Sequence, residues 1–260
     1  MNLLRIDPTR TVTLRRQFLV KLRKIFAKLK FQINELLVKE NALGVNTRWK
    51  FYPSPEKIQA FEAWLRAQFV NVADVWKAFI NAGFQKGASR AFDDVRKRKP
   101  EEKLDFYAGT REEFLRSSFA NPASNDALRV LVGRSLTEYK GITEEMSTRM
   151  VRILAEGLTR GENPRIVAKN MARQLDMSFR KASTIARTEL IRAHAEGQLQ
   201  AMRKLGVQDL NVMVEWSTAG DSRVCPLCKP MDGVTFSIDE ASGLIPYHPN
   251  CRCAWVPAIV

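Results

Sequence analysis

The chain has 260 residues, 45% hydrophobic and 27% charged, enough to bury a sizeable core in one large domain or two. Its net charge of +14 suits nucleic acid, an acidic protein or a membrane surface as partner. No apolar run approaches the ~18 residues that point to a membrane span, and no signal peptide is visible, so the expectation is a protein made and folded in a cytoplasm.

The charge is uneven. Residues 207–260 hold Arg223, Lys229 and Arg252 against six acidic side chains, so the positive excess lies in the first 206 residues. Within residues 1–50, twelve lysines and arginines face only Asp7, Glu35 and Glu40. The first predicted helix runs from Leu14 to Lys39, because Leu14, Phe18, Leu22, Ile25, Leu29, Ile33 and Leu36 recur at three- and four-residue steps. Arg15, Arg16, Arg23, Lys24, Lys28 and Lys30 crowd its other faces. A packing helix with a solvated back accounts for this pattern, and so does a helix laid against a partner or DNA.

A second helix is expected from Ser54-Pro55, with serine as N-cap and proline at the first helical position. Its stripe runs from Ile58 and Phe61 to Trp76 and Phe79, ending near Gly83. A third carries Phe84, Ala88, Phe92 and Val95 and stops at the basic run before Pro100, after which residues 100–109 read as a linker. Thr110 and Glu113 then match a capping box, in which each satisfies an orphan N–H of the other. Leu128, Leu131, Val132, Leu136 and Tyr139 predict a helix ending at Gly141. Thr143 would cap the next, closed by Gly161, and Asn163-Pro164 would start a short one reaching Leu175. Ser178 is expected to cap a long helix reaching Leu205-Gly206, where glycine provides a left-handed stop.

On that last helix Thr188 and Arg192 share a face, and Arg192 and Glu196 can pair at i,i+4. Such residues among Ile185, Ala186, Leu190 and Ala193 fit a partly buried ion network at a helix–helix or helix–module contact. No second carboxylate is visibly paired with Glu189, as acid–base catalysis would want. His194 has no ligand partner at helical spacing and reads as a packed or surface histidine. Beyond Gly206 the period changes to two: Val212, Val214 and Trp216 alternate with polar neighbours, predicting a half-buried strand. Asp232-Gly233 signals a turn into a short strand at Val234–Phe236, and a third strand is expected from Arg252 to Val256.

All four cysteines fall inside this final region. Cys225 and Cys228 form C-x2-C, and His248, Cys251 and Cys253 form H-x2-C-x-C, two groups that together can supply the tetrahedral N/S shell of Zn²⁺. Five donors compete for four places. If Cys251 and Cys253 sit on a strand, both thiols share a face; if the segment turns, His248 with either cysteine serves equally well. Disulfides would need an oxidising compartment, and a redox C-x-x-C would be expected beside a βαβ pattern, which is not visible. A surplus of thiolates with no open position or spare base points to structural rather than catalytic metal. So small a β-rich region would draw much of its folding energy from the ion.

The motifs Arg187-Thr188-Glu189, Trp216 with Asp221, Ser222, Arg223 and the C-x2-C, Asp232-Gly233, and His248-Pro-Asn-Cys-Arg-Cys253, preceded by Glu156–Gly161, resemble in order the phage Mu F-like, SPP1 gp7-type head morphogenesis family. The resemblance covers roughly the last 120 residues. It implies a minor capsid protein with Arg187, Thr188, Glu189, Trp216 and Asp221 as structural motif residues. It further implies a place in the virion, at the head interior or portal vertex, a role in head assembly or early DNA delivery, and a portal, major capsid or scaffold protein as partner. The basic body adds non-specific double-stranded DNA as a candidate partner. The fold expected is mainly α, a multi-helix body with a small C-terminal β-rich zinc-binding module, α+β overall. Its expected regions are 1–105 (basic, helical), 106–206 (helical) and 207–260 (zinc knuckle). No enzymatic activity is expected. The alternative is a zinc-containing DNA-processing nuclease or a DNA-binding protein, since His248-Pro-Asn250-Cys251 superficially resembles the treble-clef nucleases.

Overall fold

The computed structural model describes residues 7–39, 55–70, 72–97, 109–205 and 213–258. The elements in order are α1 (Val12–Asn34, continued by a π-helical turn over Glu35–Lys39), α2 (Pro55–Ala67), α3 (Val72–Lys97), α4 (Arg111–Ala120), α5 (Pro122–Arg160) and α6 (Pro164–Lys204). Then follow β1 (Met213–Ser217), a 3₁₀ turn (Lys229–Met231), β2 (Thr235–Phe236), α7 (Ile238–Ala241) and β3 (Ala254–Ala258). The fold is therefore mainly helical, with one small antiparallel sheet of order β2-β1-β3 near the C-terminus. No helix among the described residues is long and apolar enough to cross a membrane.

The helices end where local chemistry dictates. Thr110 accepts from the Glu113 backbone while Glu113 accepts from Thr110, the full capping box at the start of α4. Gly161, at φ 63°, ends α5 in a Schellman motif: the Gly161 N–H donates to Leu158 and the Glu162 N–H to Gly157. Asn163 accepts from the Arg165 N–H at 2.9 Å and opens α6, with Pro164 in the first helical position.

Four expected boundaries are absent, each for a physical reason. Gly141 lies inside α5 with nothing near its Cα face, and Thr143, expected as a cap, instead turns its hydroxyl back onto the Lys140 carbonyl. Ser178 lies buried inside α6, where its hydroxyl accepts from Gln174, so 164–204 is a single helix. Gly83 does not end a helix either, because α3 runs through it and Gly87 to Lys97. The break falls earlier, over Gln68–Val70, where the Phe69 carbonyl accepts from the Val72 N–H at 3.2 Å and from the Tyr139 hydroxyl at 2.8 Å. The expected Ser54 cap, the linker 100–108 and Gly206 lie outside the described residues.

Two compact units emerge. One comprises Phe18–Trp76 and Leu136–Thr184. In it Phe18, Leu22, Phe26, Leu29 and Ile33 form the buried face of α1. Phe26 meets the Phe69 ring at 6.2 Å and the Phe179 ring at 5.5 Å, and Trp76 lies between Phe18 and Tyr139 at 5.1 and 5.2 Å. Phe26 was not part of the expected stripe, and Leu37 rather than Leu36 is the buried residue at its end.

The other unit comprises Met1–Gln17, Lys77–Ser135 and Ile185–Val260. Its core joins Phe92, Phe114, Ile191, Leu199 and Met202 of the helices to Val214, Trp216, Ile238 and Trp255 of the sheet region. At Gly87 and Gly197 the backbones of α3 and α6 come into close contact. A Cβ at Gly87 would lie 2.8 Å from the His194 carbonyl carbon, and one at Gly197 would lie 2.9 Å from that of Phe84. Only glycine lets two helix backbones meet so closely.

Candidate metal centre

The module is built on β1. Val214 and Trp216 are buried and their neighbours are not, the alternation of a strand with one covered face. Gly233, at φ 85°, turns the chain back, so that its N–H donates to the Trp216 carbonyl and the Trp216 N–H to Val234. On the other side Trp216 pairs with Trp255 of β3, their rings 5.4 Å apart and almost perpendicular. The outward-facing backbone of Trp255 would lack partners, but Gln198 of α6 supplies both. Its amide donates to the Trp255 carbonyl at 2.6 Å and accepts from the Trp255 N–H at 3.2 Å.

Two turns bring the five donors together. The Cys228 and Lys229 N–H groups both donate to the Cys225 carbonyl, which curls C-x2-C onto one point. The Cys251 N–H donates to the His248 carbonyl, so the segment before β3 turns rather than extends. His248 Nε2 lies 3.1 Å from Cys225 Sγ and 3.2 Å from Cys228 Sγ, while Cys228 Sγ lies 3.9 Å from Cys251 Sγ. Two groups of donors result, Cys225, Cys228 and His248 in one and Cys228, Cys251 and Cys253 in the other. Cys228 belongs to both.

The donor chemistry fits a metal ion. Zn–S bonds of ~2.3 Å in a tetrahedron place sulfurs roughly 3.8 Å apart, close to the Cys228–Cys251 separation. His248 Nδ1 lies 2.8 Å from the Pro249 carbonyl, and donating there leaves Nε2 as a lone pair facing the sulfurs. A hydrogen bond from Cys253 is the main cause that brings Cys251 down to about 5. Burial pushes Cys228 up to about 12, and Cys253 is raised chiefly by its bond to Cys251. Crowded thiols resist becoming thiolates together, and a bound cation would supply the missing countercharge.

Second-layer contacts lock the two halves. Arg252 grips Asp221 with both terminal nitrogens, at 2.8 and 2.6 Å, and Arg223 adds a 2.9 Å bond. The Arg252 bonds hold the Asp221 carboxyl well below the usual carboxylate range. Since Asp221 precedes the first ligand group and Arg252 sits inside the second, this pair ties them across 31 residues. Thr188 accepts from the N–H of Asn250, whose φ of 60° marks the tight turn, so α6 holds the His248–Cys251 turn directly.

Arg187 is exposed, whereas Glu189 is 5% exposed and receives Arg192 at 3.4 Å and Arg134 of α5 at 3.8 Å. The expected Arg192–Glu196 pair is replaced by this i,i+3 contact, and Glu196 instead accepts from Gln200. His194 is fully buried, and neither ring nitrogen has a hydrogen-bond partner among the described residues. Sequence reading missed Arg252, Gln198 and Arg134. Only Arg252 carried a local signal, standing between two cysteines and so directed to the opposite face.

Fold and site together define a class: a helical protein whose last long helix supports a small Cys/His knuckle closed by a tryptophan-paired sheet. Comparison with known proteins narrows it. Residues 149–256 match the family described as Phage Mu protein F like protein. The chain is also similar to "Minor head protein GP7" of Bacillus phage SPP1, at 29% identity over 129 residues. The likeness covers 44% of this chain and 42% of that protein. No solved structure matches the chain.

Proposed function

We propose that the protein is a phage minor head protein acting in head morphogenesis, with one structural zinc ion in its C-terminal module. The observation that carries the head-protein reading is the Mu F-like match over residues 149–256, supported by the likeness to a minor head protein. Cys225 and Cys228 would hold the ion with two of His248, Cys251 and Cys253. The ion would supply coordination alone, a closed shell that draws two loops onto the sheet. Trp216 and Asp221 position those loops, and Arg187, Thr188 and Glu189 form the supporting motif on α6.

In this reading the protein works at the portal or the inner face of the head, against a portal, major capsid or scaffold protein, and its basic helices touch packaged duplex DNA. The regions 1–105, 106–206 and 207–260 would then be a basic arm, a helical core and a zinc knuckle. No catalysis is assigned to it. A nuclease would need a histidine with a free ring nitrogen beside a metal-bound phosphate, yet His248 turns Nε2 to the thiols and Nδ1 to a carbonyl.

Deleting the gene should give malformed, poorly filled or non-infectious particles while DNA replication continues. Particles of normal yield and infectivity would overturn the head-protein reading. Elemental analysis of freshly purified, reduced protein should return about one zinc per chain, and none would overturn the metal assignment.

A further inference from the structure

In the unit built from Phe18–Trp76 and Leu136–Thr184, α1 and the first half of α6 lie side by side and antiparallel. Phe26 meets the Phe179 ring at 5.5 Å, and Lys30 reaches the Asp176 carboxylate at 2.5 Å. Nearer the start of α1, the Arg23 guanidinium lies over the same Phe179 ring, 5.8 Å from its centre. The outer side of this seam is cationic. Arg23 and Lys24 are exposed on α1, and Arg173 and Arg180 on α6. Arg23 and Lys30, like Arg173 and Arg180, stand two helical turns apart, about 10.5 Å, so two rows of positive charge run along neighbouring axes.

Little negative charge opposes them. α1 has no acidic residue from Val12 to Asn34, and between Pro164 and Thr184 α6 has Asp176 alone. Five cations beside one carboxylate leave this face a net charge of +4. Carboxylates on the adjoining helices are engaged elsewhere, Glu145 of α5 by Arg149 at 2.8 Å and by Lys181, and Glu62 of α2 by Arg66 at 2.8 Å. Glu35, beyond the end of α1, keeps one carboxylate oxygen buried.

We propose that this α1–α6 face is where the protein holds duplex DNA, through the phosphate backbone and without regard to sequence. Duplex DNA carries one negative charge per ~1.7 Å of axis, so a face about 10 Å long meets several phosphates and releases their counterions. A lipid surface is disfavoured, because both helices turn their apolar faces inward and have none left to insert. Leu22, Phe26 and Leu29 of α1 are buried, as are Met171 and Leu175 of α6. The inference rests on the proposed DNA contact and adds where it falls: on a face half built by α1, outside the residues that match the Mu F-like family.

The test uses the full chain and two fluorescein-labelled 20-base-pair duplexes of unrelated sequence, with anisotropy read from 50 to 300 mM NaCl. Both duplexes should bind equally and lose affinity steeply with salt. The double variant Lys24→Gln, Arg180→Gln should weaken both about tenfold at 100 mM NaCl, and lower the slope of log K against log salt by about 2. Asp176→Asn should tighten binding about threefold, a gain that misfolding does not produce. The control is Arg149→Gln with Arg152→Gln on α5, both already paired with carboxylates, which should leave affinity and slope nearly unchanged. Equal losses in the two double variants would overturn the proposal, and so would a strong preference for one duplex. Absent binding at 50 mM NaCl would overturn it too, as would binding of phosphatidylglycerol vesicles in place of DNA, which would assign the face to lipid. The head-protein reading is tested separately, by the particles that form when the gene is deleted, so either can fail alone.

Discussion

Gly87→Ala tests the close crossing of α3 and α6. Inside a helix this change normally stabilises by about 1 kcal/mol, since glycine has the greater chain entropy to lose. Here the new methyl would meet the His194 carbonyl oxygen within van der Waals contact, and lie 2.8 and 3.0 Å from the carbonyl carbon and Cα. All three are backbone atoms of a helix, so no rotamer relieves the clash and the two helices must part. Overpacking that side chains can absorb costs about 1–3 kcal/mol, and a backbone shift belongs at or above the top of that range. After subtracting the propensity gain, the net loss should be about 2–3 kcal/mol, or about 1 M in the urea midpoint. Gly133→Ala and Gly141→Ala are the controls, because nothing lies within 4 Å of a Cβ at either position. They should stabilise by about 0.5–1 kcal/mol. Urea unfolding followed at 222 nm would decide the matter. A Gly87→Ala protein as stable as Gly141→Ala would refute the argument.

Gln198→Leu should cost about 3 kcal/mol, since it strands a buried N–H and a buried C=O of Trp255, with the near-UV signal of the tryptophan pair weakened; a change under about 0.5 kcal/mol would contradict this. His194, held down to about 3 chiefly by burial and then by the charges of Arg90, Lys86 and Arg15, gives a pH dependence. Below its ordinary value of ~6.5 the unfolded chain takes up a proton that the folded chain refuses, so stability should fall by about 1.4 kcal/mol per pH unit and level off near pH 3. His194→Gln should remove that component between pH 7.5 and 5, and an unchanged slope would count against it. Asp221→Asn should cost about 2 kcal/mol by weakening the grip on Arg252, and should hasten zinc release to a chelator; equal release rates would separate this pair from the metal site.

What was legible in the sequence was local. The stripe of α1, the Thr110–Glu113 capping box, the Gly161 stop and the alternation of Val214 and Trp216 each depend on residues within a few positions of one another. Gly83 and Gly141 look alike to such a reading, yet the first sits against another helix and the second faces open space. What separates them is over a hundred residues away in the chain, at Leu190 and Ala193. The candidate centre divides the same way. C-x2-C and H-x2-C-x-C announce their donors by spacing, whereas Gln198 and Arg134 are polar residues in long helices with no mark of their partners. Arg252 lies between, since its place in C-x-C fixes its direction but not its object, Asp221.

The three-residue link between α5 and α6 also bears on the order in which the chain folds. Closing so short a loop costs little entropy, and the contact of Gly157 with Val167 can form while the rest of the chain is still open. The Gly87–His194 crossing instead closes a loop of about a hundred residues, a late and entropically costly event in a chain of mostly local contacts. The hairpin is thus the natural nucleus, and α3 docks onto α6 after it. Substitutions at the hairpin should therefore slow folding, while those at the glycine crossing should chiefly quicken unfolding.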